Sequence, residues 1–517
     1  MRTRWIFSIG MLGAVSIPAA AQSADQVRDK VRAYREANAA SIVQEFVELL
    51  AIPNVASDRP NIERNARQIL AMMARRGITG QLLEVDGAPP SIYGELKTPG
   101  ATKTIVIYAH YDGQPVDRSQ WTGDPWTPVL RSRSLAEGGE IVPLTGSGQR
   151  FDPENRIYAR SASDDKAPII GVLAALDALK AAGLPPSVNL KLFFEGEEEA
   201  GSDHLRAILE KYKDLLAADL WIFCDGPVHQ SRRPQIVFGV RGVIGLQLTI
   251  YGPARPLHSG HYGNWAPNPN AMMVNLLASM RDEEGKILVA NYYDDVRPLT
   301  ASERAAFASI PPVEPQLEGE LRLGRTESAP QSLAERISQP ALNIGGLRGG
   351  QAGAWGANVI VTRSEAYVDL RLVPDQTPER VQGLVERHIG ARGYTIVRTD
   401  PDSATLRNHP RVIKLIWSGG YPSVRASMDG AGAKALLRTV DAALGRPAIR
   451  LPTLGGSLPL YHFAEVLRTP LVTLPIANHD NNQHAENENL RLKNLWDAIE
   501  IYGGVLARLG REWTAVP

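Results

Sequence analysis

Apolar residues recur at helical spacing over residues 25–50. Val27, Val31 and Tyr34 lead to Ile42, Val43, Phe46, Leu49 and Leu50, and this period predicts amphipathic helix. Residues 61–76 repeat the pattern. The period then changes. Thr104-Ile105-Val106-Ile107-Tyr108-Ala109 is an unbroken, β-branched apolar run. It predicts a strand buried on both faces, as in a parallel sheet lying under helices. Residues 127–156 are polar and contain glycine, which predicts an extended loop. A helix is predicted over 166–182, a strand over 188–194, a helix over 203–216 and a third buried strand over 220–224. Strand–helix–strand alternation of this kind specifies an α/β layer fold.

Ser231-Arg232-Arg233-Pro234 is a polar break. Beyond it, strands near 235–251 and 359–373 flank helices near 267–281 and 377–391, which reads as a separate α+β unit. Helix signals return at 429–444, a strand at 470–476 and a helix at 490–509. The predicted organisation is a first domain in two pieces, 22–229 and 426–517, with a second domain, 230–425, inserted into it. No fixed-period repeat or low-complexity tract is present.

Composition narrows the picture. The chain has 517 residues, of which 44% are apolar and 22% charged, enough for a sizeable core and unlike a disordered or fibrous chain. Lys plus Arg and Asp plus Glu are both 56, so no global basic field attracts nucleic acid or an anionic membrane. Cys224 is the single cysteine, so no intrachain disulfide forms. Arg2 and Arg4 precede an apolar stretch from Trp5 to Ile17 and the small-residue run Pro18-Ala19-Ala20-Ala21. That is the layout of a secretory signal peptide over residues 1–21, and the stretch is too short to span about 30 Å of hydrocarbon. The expectation is export to the periplasm or the medium, with no membrane association after cleavage.

Five acidic or histidine clusters fall at predicted strand ends, where open α/β sheets bind ligands. They are His110-Tyr111-Asp112, Ser163-Asp164-Asp165-Lys166, Glu197-Glu198-Glu199, Asp225-Gly226 and the segment around His484. Each is ordinary alone. A His and an Asp two apart on extended chain face one side, but such pairs are common. An Asp before a helix is usually a cap, and three glutamates usually form a solvated loop. Together they supply nitrogen and oxygen donors of the kind that suits zinc, manganese or cobalt.

Seven motifs then occur in the order of one family. They are Ala109-His110-Tyr111-Asp112, Tyr158 to Lys166, Phe194 to Ser202, Leu257-His258-Ser259-Gly260, Arg371-Leu372-Val373-Pro374, Gly455-Gly456-Ser457-Leu458-Pro459 and His484-Ala485-Glu486-Asn487-Glu488. Over roughly residues 30–510 the chain resembles the di-zinc metallopeptidases that include carnosinase-like dipeptidases, carboxypeptidase G and succinyl-diaminopimelate desuccinylase. The resemblance implies a three-layer α/β/α catalytic domain of the zinc-exopeptidase type with an inserted α+β lid and dimerisation domain. It implies two Zn²⁺ ions, or Mn²⁺ or Co²⁺, held by His110 and Asp225 on one side and Glu199 and His484 on the other, with Asp164 between them. Asp112 would stand behind His110, and Glu198 would be the general base. His258 would reach the partner subunit's site in a homodimer. Asn358, Arg371 and Ser457 would contact substrate. The Asn-Glu context after His484 favours it over His479 as the last ligand.

The chain departs from the family pattern at Ala159, Ser161 and Ala167, where glycine is frequent. It departs more at Thr453-Leu454, where carnosinase-like members carry Arg-Glu. Losing two charges there argues against simple carnosinase-type specificity. Gly345 to Gly350 lacks the strand-to-helix layout of a phosphate loop and reads as lid turns. The expected activity is hydrolysis of dipeptides or short peptides. The alternatives are an amidohydrolase acting on N-acyl amino acids with the same metals, and a non-catalytic binding protein on a degenerate peptidase fold. A serine hydrolase would need a Gly-x-Ser-x-Gly elbow, which the chain lacks.

Overall fold

The computed structural model describes residues 23–144, 150–327, 330–456 and 458–514. The export signal read at 1–21 and Ser457 lie outside them. No described helix is long and apolar enough to cross a membrane.

Eight strands form the first sheet, in the spatial order Thr79–Leu83, Ser91–Leu96, Asn189–Glu195, Thr104–His110, Leu220–Phe223, Leu471–Thr473, Gln235–Val237 and Ile449–Leu451. Its centre is parallel: Thr104–His110 pairs in parallel with Asn189–Glu195 and Leu220–Phe223, and Leu471–Thr473 with Leu220–Phe223. Period-2 alternation sends neighbouring side chains to opposite faces. Ile105, Ile107, Phe194 and Ile222 pack under one helical layer, which includes Lys166–Ala181 and the long helix from Leu492. Val106, Tyr108, Phe193, Trp221 and Phe223 face the other, where Leu205, Ile208 and Phe463 cover them. The result is three layers, with helices burying both apolar faces of one sheet.

A second sheet of five strands runs Ala341–Arg348, Arg363–Leu372, Gly242–Tyr251, Val412–Tyr421, Thr395–Val397. Helices Pro269–Ala278 and Pro378–Ala391 cover one face through Met273, Leu276, Val381 and Leu384, packed on Leu246, Leu248, Val368 and Leu370. The opposite face carries Tyr367, Asp369 and Arg371.

Three readings change. Gln235–Val237, assigned from sequence to the inserted unit, joins the first sheet by pairing with Ile449–Leu451. The crossover to the second sheet therefore lies at about 238–242, and the apolar Ile236–Val237–Phe238 run is core of the first unit. Residues 127–156, read as a loop, form short strands Val129–Arg131 and Ile141–Val142; the former pairs with Arg156–Tyr158, which also pairs with Asn489–Arg491. Helices Ala301–Ala308, Glu314–Glu320 and Leu333–Ile337 were not foreseen, because their short apolar sets give little period.

Candidate metal centre and active site

The carboxyl ends of the central parallel strands converge on one cleft of about 520 Å³. Its lining includes Asp164, Glu198, Asp225, Arg371, Leu454 and His484. His110 ends its strand and is fully buried. Glu198 and Glu199 sit in the turn after Asn189–Glu195, and Asp225 lies two residues beyond Leu220–Phe223. Asp164 enters from the loop before helix Lys166–Ala181. Neither aspartate of that loop acts as a helix cap: Asp165 makes no side-chain capping bond, and its Oδ2 instead accepts the His110 N–H at 3.3 Å.

Asp164 is the centre of the arrangement. Its Oδ1 lies 2.9 Å from His110 Nε2, and its Oδ2 lies 3.3 Å from His484 Nε2. Asp225 is 3.9 Å from His110 Nε2, and Glu199 is 3.2 Å from His484 Nε2. Two His–carboxylate pairs thus share one aspartate. His110, Asp164 and Glu199 offer ligand atoms within 4.8 Å of one another. Asp112 lies on the other side of the His110 ring, with its Oδ1 3.3 Å from Nδ1. The same carboxylate accepts the Glu198 and Glu199 N–H groups at 3.2 and 3.0 Å. It therefore orients the imidazole and holds the turn that carries both glutamates.

The electrostatics call for a cation. Burial, reinforced by Asp164, pushes Asp225 up to about 7 and Glu199 up to about 8. Burial also raises Glu198 well above the carboxylate range, with His110 opposing and Asp225 and Glu199 adding to it. His484 rises to about 8 chiefly because the Asp164 carboxylate faces it at 3.3 Å. Several acids crowded in low dielectric repel each other's charge. Asp164 Oδ2 is buried without a hydrogen bond. A divalent ion would relieve both conditions, and the oxygen and imidazole donors fit one.

The cleft does not contain every predicted residue. Arg371 lines it and pairs with Asp369 at 3.0 Å. His258 and Asn358 are exposed and lie outside the cleft lining, at the pairing of Leu257–His258 with Val359–Ile360. His479 is also not among the lining residues.

Three supporting residues were not assigned from sequence. Gln114 Nε2 donates to Glu199 Oε2 at 2.8 Å; it continues the His110, Asp112 alternation by two more residues, a signal the sequence carried. Asp480 takes Arg156 at 2.6 Å and Arg491 at 3.1 Å, bracing the loop that presents His484. Burial raises its pKa, but the Arg156 and Asn478 hydrogen bonds bring it well below the usual range. Glu488 is buried and accepts five donors from the Asp164 loop: the N–H groups of Ser161, Ser163 and Asp164, the Ser163 hydroxyl and Arg160.

Comparison with known proteins extends this picture. The model described as peptidase family M20/M25/M40 matches residues 106–508. A Cys-Gly metallodipeptidase of Schizosaccharomyces pombe is 26% identical, over 88% of this chain and 92% of its own length. The human Beta-Ala-His dipeptidase is 28% identical, over 81% and 76%. The crystal structure of an M20 family metallo-carboxypeptidase from Sulfolobus solfataricus superposes with a TM-score of 0.71 at 27% identity, covering 91% of this chain and 99% of that one.

Proposed function

The chain belongs to peptidase family M20/M25/M40, and we propose that it is an exported two-metal dipeptidase that cleaves dipeptides or short peptides. The observation that carries this reading is Asp164, whose two oxygens face two different histidines, each beside a further carboxylate. His110 and Asp225 would hold one ion, Glu199 and His484 the other, and Asp164 both. Zinc suits the donors, with manganese or cobalt as substitutes. When bound, such ions acidify water and polarise a carbonyl. The names of the relatives, dipeptidases in yeast and human, support the substrate class.

Glu198 reaches the cleft without being one of the five proposed ligands. Its buried carboxylate takes a proton from water at its side-chain oxygen and returns it to the leaving amine. Arg371 presents a planar fork to a substrate carboxylate. His258, outside the cleft of its own chain, suits a role in the cleft of a second copy, where it would stabilise the developing oxyanion. Ile344 and Leu347 on the edge strand Ala341–Arg348, with Val274 and Leu288 nearby, leave an exposed apolar border that suits a homodimer. Export rests on the signal read at 1–21, which leads to the periplasm or the medium.

The test is metal content by elemental mass spectrometry, combined with hydrolysis of mixed dipeptides and N-acyl amino acids with and without chelator. About two zinc ions per chain and chelator-sensitive dipeptide cleavage are expected. Cleavage of N-acyl amino acids alone would replace the reading with a deacylase. Absence of both metal binding and cleavage would leave a binding protein.

A further inference from the structure

Thr453 and Leu454 carry the chain's largest departure from the family pattern, and the fold separates them. Thr453 is buried and lines a separate cavity with Glu314 and Ile337. Leu454 is half-buried and lines the metal cleft as well. Its backbone is fixed: its N–H donates to Gly239 O at 2.8 Å, and it bridges to Val240. Behind the loop, Ile337 packs so closely on Gly455 that a Cβ there would lie 3.2 Å from Ile337 Cδ1. Helix Leu333–Ile337 thus leaves the loop little room to retreat from the cleft.

The Leu454 side chain reaches the strand end that carries Asp225. A Cβ built at the next residue, Gly226, would lie 3.9 Å from Leu454 Cδ2, an ordinary apolar contact distance. Gly226 has a φ of 102°, a conformation that side chains rarely adopt, so the space beside Leu454 stays free of one. Pro227 continues this wall, and Leu458 joins it from the far end of the Leu454 loop. Among the described residues, this side of the cleft carries no charge. The charged lining residues are engaged elsewhere: Asp164, Glu198, Asp225 and His484 belong to the candidate metal centre, and Arg371 pairs with Asp369 at 3.0 Å. A charged side chain placed against Leu454 would lose water without a matching charge. An apolar one is favoured in proportion to the area it buries.

We propose that Leu454, with Leu458 and Pro227, forms an apolar subsite beside the metal centre and selects substrates that carry an apolar side chain next to the scissile bond. The inference rests on the peptidase reading above and narrows its substrate class. The occupant is a side chain of the substrate because the subsite is part of the metal cleft itself and shares its lining.

The test uses the metal-loaded full-length enzyme and two dipeptide series, X-Ala and Ala-X, in which X is Leu, Ala, Glu or Lys. In at least one series kcat/KM is expected to be at least about tenfold higher for Leu than for Ala, and lower for Glu and Lys than for Ala. Leu454→Ala should narrow the Leu-to-Ala ratio in that series to within about threefold, with cleavage of Ala-Ala and metal content little changed. Leu454→Glu should reverse the order and put Lys above Leu, because it supplies a charge that only Lys complements. Each variant provides the readout if the other does not fold. Equal cleavage of the four side chains in both series, or a preference for Glu or Lys by the unmodified enzyme, would overturn the proposal. So would an unchanged ratio in a folded variant, or an equal loss on every substrate, which a merely structural role for Leu454 predicts. Failure of the unmodified, metal-loaded enzyme to cleave any of the dipeptides would instead sink the peptidase reading itself.

Discussion

Glu488 holds Asp164 by its backbone: Glu488 Oε1 accepts the Asp164 N–H at 2.9 Å while Oε2 takes Arg160 at 2.8 Å. The loop between residues 160 and 164 is thereby wrapped around one buried carboxylate. The aspartate shared by both histidines owes its position to a residue that never reaches the cleft. Ion pairs this deep are costly to break from one side, about 3–5 kcal/mol. Glu488→Gln is expected to lower Tm and to weaken metal binding about 10–100-fold. Thermal melts and metal titration check it; unchanged metal affinity would remove Glu488 from the support of the site.

Glu198→Ala should separate chemistry from binding. The variant is expected to keep the metal content of the unmodified enzyme, because the five proposed ligands are intact. Its kcat should fall about 10²–10⁴-fold, the usual range for a lost general base. Steady-state kinetics on a dipeptide, beside elemental analysis, measures both. Retained turnover would take the base role from Glu198.

Gln114→Ala removes the 2.8 Å hydrogen bond to Glu199 Oε2. Gln114 is partly exposed, so the fold should tolerate the change within about 1 kcal/mol. Metal affinity should drop about tenfold, as for other groups that orient a ligand. Competition against a chromogenic chelator reads this directly, and an affinity within error of the parent would count against it.

Chelation should make stability depend on pH. Asp225 at about 7 and Glu199 at about 8 stand above the ordinary carboxylate range because burial and neighbouring acids penalise their charge. For an acid with a raised folded pKa, stability is greatest below the unfolded value of about 4 and is lost as pH rises through the folded value. The metal-free protein should therefore lose Tm progressively from about pH 4 to about pH 8. Added zinc should flatten that slope by neutralising the cluster. Parallel melts with chelator and with zinc test it; identical slopes would show that the cluster does not hold the ion.

Much of the catalytic unit is legible from local pattern. Thr104 to Ala109 is apolar at every position because its strand is covered on both faces, and the structure places it at the centre of a parallel ladder. The lid strand Arg363–Leu372 reads as alternation because helices cover one face only. The Gln235–Val237 strand was misassigned because so short a run carries no label for the sheet it joins. The strands Val129–Arg131 and Ile141–Val142 were missed because segments of three and two residues are too short to show an alternation.

The chain by itself determined the α/β layering, the inserted second sheet and the residues with metal-binding chemistry, because periodicity and side-chain type are local properties. Tertiary structure decided the rest. It set Asp164 between His110 and His484, residues 54 and 320 positions away in the chain. It wrapped the Asp164 loop on Glu488 and turned Gln114 onto Glu199. Each of these relationships joins segments remote in sequence, and burial at the junction, which no single segment encodes, gives the charges their energetic weight.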